Sequence, residues 1–77
     1  MPIDRLQLDS LRQAYKAAVD EWIDAVREEE ALATLDHTVA AWDRWEQAGF
    51  KQKEAQDKAN AAKEAYVDGL RMMDYAI

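Results

Sequence analysis

Apolar residues recur in the first half of the chain in alternating steps of three and four. The repeated positions are Leu8, Leu11, Tyr15, Ala18, Trp22, Ala25, Glu29 and Leu32. This spacing places one stripe on a helix that packs at a shallow angle against another helix, and Glu29 is its only charged member. Val19, Ile23 and Val26 widen the stripe on one side. The pattern predicts a first helix over about 3–33.

The second half of the chain contains another stripe with steps of three and four residues, but in a different register. Its positions are Thr38, Ala41, Trp45, Ala48, Gln52, Ala55, Ala59, Ala62, Tyr66, Gly69 and Met73. The phase changes within 33–37, where Thr34 or Asp36 could cap a new helix, although neither has Glu or Gln three residues later. We therefore predict a turn in this segment and a second helix that begins near residue 36.

Gly49 and Phe50 leave two architectures open. Gly49 suits the left-handed residue that ends a helix, and Phe50 would face outwards if the helix continued. Against a break, the stripe keeps its register, and no Ser, Thr, Asp or Asn follows to start another helix. The sequence thus predicts either a hairpin of helices at 3–33 and 36–75 or three helices at 3–33, 36–48 and 51–75.

The chain is predicted to be a single all-α domain over 1–77 that assembles as a helical bundle dimer. Strand patterns are absent, and the composition is rich in helix-forming residues. Much of the apolar fraction of 49% is alanine, which buries little area, and there are no cysteines to form disulfides. A core this small needs another source of stability, and a second copy could cover the flanks of a hairpin.

The net charge of −6 is concentrated in the first part of the chain. Residues 1–49 carry eleven acids and five bases, and six of those acids lie within 20–30. An acidic surface repels phosphates, so we predict no nucleic acid partner and no membrane partner. With neither a signal peptide pattern nor a membrane-spanning stretch, a cytoplasmic location is expected.

Glu29, Glu30 and His37 are the weak candidates for a metal site. Helical di-metal proteins place Glu-x-x-His on one helical face, but the residue three before His37 is Thr34. We therefore predict no metal and no cofactor, with His37 on the surface at the turn. Glu29 is predicted to lie near a helix end or to pair with a base on another helix.

Catalytic equipment is missing from the sequence. There is no cysteine, Ser10 is the only serine and His37 the only histidine, so no catalytic triad is apparent. Gly49 and Gly69 are the only glycines, too few for a loop that binds phosphate. We predict that the protein is not an enzyme.

These observations favour a non-enzymatic helical interaction or oligomerisation module, which forms a homodimer or binds a protein partner through apolar helix faces. The predicted interface anchors are Trp22, Trp42, Trp45 and Tyr66, since aromatic residues dominate such contacts. A first alternative is a carboxylate-based bundle that binds a metal or a small ligand. A second is an acidic phosphate mimic that inhibits a nucleic-acid-binding protein.

Overall fold

A computed structural model shows two long helices packed against each other as a hairpin. It describes residues 3–33 and 38–75, with side chains described as far as Met73. Helix α1 spans Arg5–Leu32 and helix α2 spans Val39–Tyr75. Together they form a rod that measures 60 × 13 × 12 Å. Apart from the residues that flank the helices, the described part is helical and contains no strand, which confirms the predicted all-α class. Assembly as a bundle dimer stays a prediction.

Reciprocal hydrogen bonds fix the start of α1. The Asp4 side chain accepts a hydrogen bond from the Gln7 backbone N–H at 2.7 Å, and the Gln7 side chain accepts one from the Asp4 N–H at 3.1 Å. This capping box satisfies two backbone donors that would otherwise lack partners. At the other end, the Ala33 N–H donates to the carbonyls of Glu29 and Glu30. The predicted limits of 3–33 were therefore nearly correct.

Helix α2 begins three residues later than predicted. Its start is capped by Thr38, whose hydroxyl accepts a hydrogen bond from the Ala41 N–H at 3.2 Å. The two residues proposed as caps, Thr34 and Asp36, lie outside the described residues. Helix α1 ends at Leu32 and α2 begins at Val39, so the chain forms separate helices on either side of the predicted change of register. Residues 34–37 of the predicted turn lie outside the described residues.

The three-helix alternative, with separate helices at 36–48 and 51–75, is not the architecture of the chain. Helix α2 runs through Gly49, and neither glycine has a positive φ. Gly49 instead faces α1, and a Cβ added there would lie at ordinary van der Waals distance, 3.6 Å, from Oε1 of Glu29. Its sequence signal resembled a helix end, but its role is set by contact with the other helix.

The two predicted stripes face each other. Contacts of Gly49 with Glu29 and of Gly69 with Leu11 show that the helices run antiparallel. Between these points, the rings of Tyr15 and Tyr66 stack with centroids 6.4 Å apart. All stripe positions are buried or half-buried except Thr38, which is exposed at the start of α2.

Candidate interaction surfaces

The fully buried core of the hairpin contains only small residues. In the described part, the buried residues are Ala25, Ala48, Ala55, Ala59 and Gly69. Large apolar side chains remain exposed at Leu6, Ile23, Val26, Val39, Trp42, Phe50, Leu70 and Met72. Each helix of a two-helix hairpin can cover only one stripe of the other, so the bulky residues beside the stripe stay partly exposed to solvent.

The accessible surface is correspondingly large. The chain exposes 6205 Å², whereas a compact monomer of 8.8 kDa is expected to expose about 4,800 Å². The excess of about 1,400 Å² is greater than the roughly 800 Å² that each partner buries in a standard protein–protein interface. The rod therefore has ample surface for a partner to cover.

An aromatic groove lies at the end of the hairpin where α1 leads into α2. We define it by its lining residues, which are Glu29, Trp42, Trp45, Glu46, Gly49 and Phe50, and its volume is about 330 Å³. The rings of Trp42 and Trp45 meet edge to face, with centroids 5.2 Å apart. Trp42 is 57% exposed and Phe50 67% exposed, while Trp45 is half-buried.

Helical spacing explains how this groove arises. Trp42, Glu46 and Phe50 are four residues apart on α2, so they stack along one face, and Trp45 stands beside Gly49 in the same way. Gly49 lies opposite Glu29 of α1, which brings the Glu29 carboxylate into the lining of the groove. Both tryptophans were predicted as interface residues from the sequence, whereas Glu46 and Phe50 were not, although their i,i+4 spacing from Trp42 was a signal that could have predicted them.

Glu29 contributes the carboxylate of α1 to the aromatic groove. The side chain is half-buried, and its carboxylate forms no hydrogen bond or ion pair with any residue that the structure describes. The predicted pairing with a base of another helix is therefore absent within residues 3–33 and 38–75. The adjacent acid, Glu28, forms the interhelical ion pair instead, with Lys51 at 3.0 Å.

A charged cleft lies on the side of the rod opposite to the aromatic groove. It has a volume of about 300 Å³ and is lined by Glu21, Asp24, Ala25, Glu28, Lys51, Glu54, Ala55 and Lys58. The Glu28–Lys51 pair spans it, with both side chains at least half exposed. Exposed pairs of this kind contribute about 0–1 kcal/mol, so the cleft is a solvated surface rather than a stabilising contact.

Val19, Ile23 and Val26 lie on the side of α1 that faces away from the charged cleft, and we call them the aliphatic flank. Each is two residues from Glu21, Asp24 or Glu28, acids that line the charged cleft. Residues two apart point to nearly opposite sides of a helix with 3.6 residues per turn. Ile23 is 42% exposed and Val26 37% exposed, so the flank is only partly covered by the hairpin itself.

The four predicted anchors occupy different environments. Trp22, Trp45 and Tyr66 are half-buried at the seam between the helices, whereas Trp42 stands outside it. Trp22 is midway between Tyr15 and Glu29 in sequence, so the antiparallel register places it opposite the alanines at 55 and 59. Its indole N–H is buried and has no hydrogen-bond partner among the described residues. The part these residues play in an assembly stays a prediction.

The metal candidates do not come together in the described part of the chain. Within 3–33 and 38–75, no three acidic or histidine side chains are grouped closely enough to hold a metal ion. Glu29 faces the aromatic groove and Glu30 is exposed, while His37 lies outside the described residues. A role for His37 therefore stays untested.

Neither described helix has an apolar stretch long enough to cross a membrane. Comparison with protein-family models, with curated proteins and with solved structures finds no match for this chain.

Proposed function

We propose that the protein is a non-enzymatic helical interaction module that self-associates through its apolar helix faces, forming a four-helix dimer of two hairpins. The observation that carries this proposal is the contrast between a fully buried core of alanine and glycine and the bulky residues left partly exposed. Bundles of four helices bury two faces of each helix where a hairpin buries one. A second copy would therefore supply the burial that this short chain lacks.

Trp22, Trp42, Trp45 and Tyr66 are the proposed anchors of this assembly. Trp22 and Tyr66 are half-buried between the helices, so each keeps an accessible part that a second hairpin could cover. Large aromatic side chains contribute most when a partner excludes water from them. Their removal is thus expected to weaken the hairpin and the assembly together.

Sedimentation equilibrium and thermal unfolding of Trp22→Ala and Tyr66→Ala test the proposal. We expect both variants to lower the melting temperature and to raise the dimer dissociation constant. Leu6→Ala is the matched control, since Leu6 is 83% exposed and lies outside the stripe, and it should behave like the wild type. Unchanged assembly and unchanged stability in both aromatic variants would contradict the proposed anchors.

A second candidate function, the binding of a small organic cation, is favoured by one observation. The aromatic groove combines three aromatic rings with the carboxylates of Glu29 and Glu46, and Glu29 has no described ion-pair partner. Aromatic faces and carboxylates together attract alkylated ammonium groups. The proposed ligand is therefore a quaternary ammonium compound rather than a metal ion.

Nuclear magnetic resonance of the indole N–H groups tests this second candidate. Choline should shift the signals of Trp42 and Trp45 saturably, while its neutral isostere 3,3-dimethylbutanol should not. Trp22 is the internal control, because its indole N–H is buried at the seam. Glu29→Gln should abolish the response and Glu54→Gln, in the charged cleft, should preserve it. Equal shifts with both compounds would refute cation binding.

A further inference from the structure

Helix α1 carries a second stripe beside the one that packs on α2. Its members each follow a residue of the first stripe, and they are separated by alternating steps of four and three. They are Asp9, Arg12, Lys16, Val19, Ile23, Val26, Glu30 and Ala33. One residue corresponds to a rotation of about 100° around a helix, so this outer stripe runs along one side of the hairpin. Helices packed side by side use this same spacing.

The outer stripe is ordered by charge along its length. Its amino-terminal part carries Asp9 and two bases, Arg12 and Lys16, for a net charge of +1, and its carboxy-terminal part carries Glu30. The aliphatic flank lies between them and is only partly covered within the hairpin. The stripe thus offers an apolar centre between a part with net positive charge and a part with negative charge.

This order is self-complementary when two copies of α1 run antiparallel. Arg12 and Glu30 are equally far in sequence from Glu21, and so are Val19 and Ile23. An antiparallel pair centred there brings each Arg12 to Glu30 of the second copy and each Val19 to Ile23 of the second copy. A parallel pair would instead place like charges side by side at both ends, which is unfavourable.

We propose that two copies pack α1 against α1 in antiparallel orientation, about a twofold axis at the level of Glu21. This inference rests on the proposed self-association and adds the direction and the α1 face of the contact; the anchors Trp42, Trp45 and Tyr66 lie on α2 and take no part in the α1–α1 contact itself. A twofold axis makes every contact occur twice, so the Arg12–Glu30 pair forms at both ends of the interface. The surface that the rod exposes in excess of a compact monomer, about 1,400 Å², exceeds the roughly 800 Å² that one partner needs.

Arg12 is free to take part because its present contact is local and exposed. Its guanidinium pairs with Asp9 on the same helix at 2.8 Å, and both side chains are at least two-fifths exposed. A guanidinium has five N–H donors, so Asp9 does not exhaust it. Lys16, which would meet Val26 of the second copy, can cover that residue with its aliphatic stem and keep its ammonium group in water.

Charge reversal tests the pairing directly. Sedimentation equilibrium should show that Arg12→Glu and Glu30→Arg each raise the dissociation constant by about tenfold or more, because each disrupts two symmetric contacts. The double variant should return to within about threefold of the wild type. Lys53→Glu is the matched control, since Lys53 pairs with Asp57 within α2 and should leave dimerisation unchanged. Circular dichroism on each variant reports whether the helices are retained.

A distance measurement tests the orientation independently of charge. The chain has no cysteines, so a single spin label can be attached at Leu6→Cys. In the antiparallel dimer, the two labels should lie about 45 Å apart, because about thirty residues at 1.5 Å each separate the two positions. A separation below about 20 Å would indicate a parallel pair and overturn the proposal.

The outcomes distinguish this inference from the proposed function. A dimer whose dissociation constant is unchanged in both Arg12→Glu and Glu30→Arg would overturn the α1 pairing and leave self-association intact. Single variants that weaken the dimer without rescue in the double variant would also overturn the Arg12–Glu30 contact. A wild type that stays monomeric at millimolar concentration would contradict both proposals.

Discussion

The two glycines of α2 give opposite predictions for the same substitution. Both lie inside a continuous helix with ordinary negative φ, where glycine costs about 0.5–1 kcal/mol relative to alanine. A Cβ at Gly49 would meet Oε1 of Glu29 at 3.6 Å and its Cδ at 4.0 Å, which are ordinary contacts with a flexible side chain. Gly49→Ala should therefore raise the free energy of unfolding by the full helical preference of alanine over glycine, about 0.5–1 kcal/mol.

Gly69 has no such space. A Cβ there would lie 3.0 Å from Cδ1 of Leu11 and 3.2 Å from Cδ1 of both Ile3 and Leu8. Three aliphatic side chains would have to move together, and overpacking of this kind costs about 1–3 kcal/mol. That cost equals or exceeds the helical gain, so Gly69→Ala should leave the protein's stability unchanged or lower it. The free energy of unfolding of Gly69→Ala should be about 1–3 kcal/mol below that of Gly49→Ala.

Thermal unfolding of the two variants and the wild type, at one protein concentration, measures this contrast. With an unfolding entropy of about 2.1 cal/mol/K per residue, Gly49→Ala should raise the melting temperature by about 3–6 °C. If Gly49→Ala instead lowered it, Gly49 would be the left-handed end of a helix and α2 would be broken there. Equal stabilisation by both substitutions would refute the close packing around Gly69.

Three further predictions follow from the caps, the charged cleft and the aromatic groove. Asp4→Ala and Thr38→Ala should each cost about 0.5–2 kcal/mol in chemical denaturation, and Asp4→Asn should retain most of that stability. Lys51→Met should change the free energy of unfolding by less than about 1 kcal/mol at any salt concentration, because its interhelical ion pair is exposed. Trp45→Ala should destabilise the hairpin by about 2 kcal/mol more than Trp42→Ala, since Trp42 is mostly exposed, and similar losses would contradict their placement.

The sequence was sufficient to predict the two helices and the stripes by which they meet. Spacing of three and four residues depends only on helical geometry, and the change of register marked the end of α1 without a proline or glycine. The start of α2 was placed too early because Thr34, Asp36 and Thr38 all have suitable cap chemistry. Local signals alone could not choose among them.

Other features depended on contacts between the helices. Gly49 was compatible with a helix end or with close approach of a neighbour, and only its position opposite Glu29 distinguishes the two. The same contact places Glu29 at the floor of the aromatic groove instead of in an ion pair. Phe50 was predicted to face outwards in a continuous helix, and its 67% exposure confirms this.

Native mass spectrometry of the untagged protein, purified without added metal, tests self-association, because it counts subunits and weighs any retained ligand. We expect a dimer mass with no additional mass, in equilibrium with monomer on dilution. A monomer that persists at every concentration would contradict self-association, and a reproducible excess mass on the monomer would point to ligand binding as the primary function.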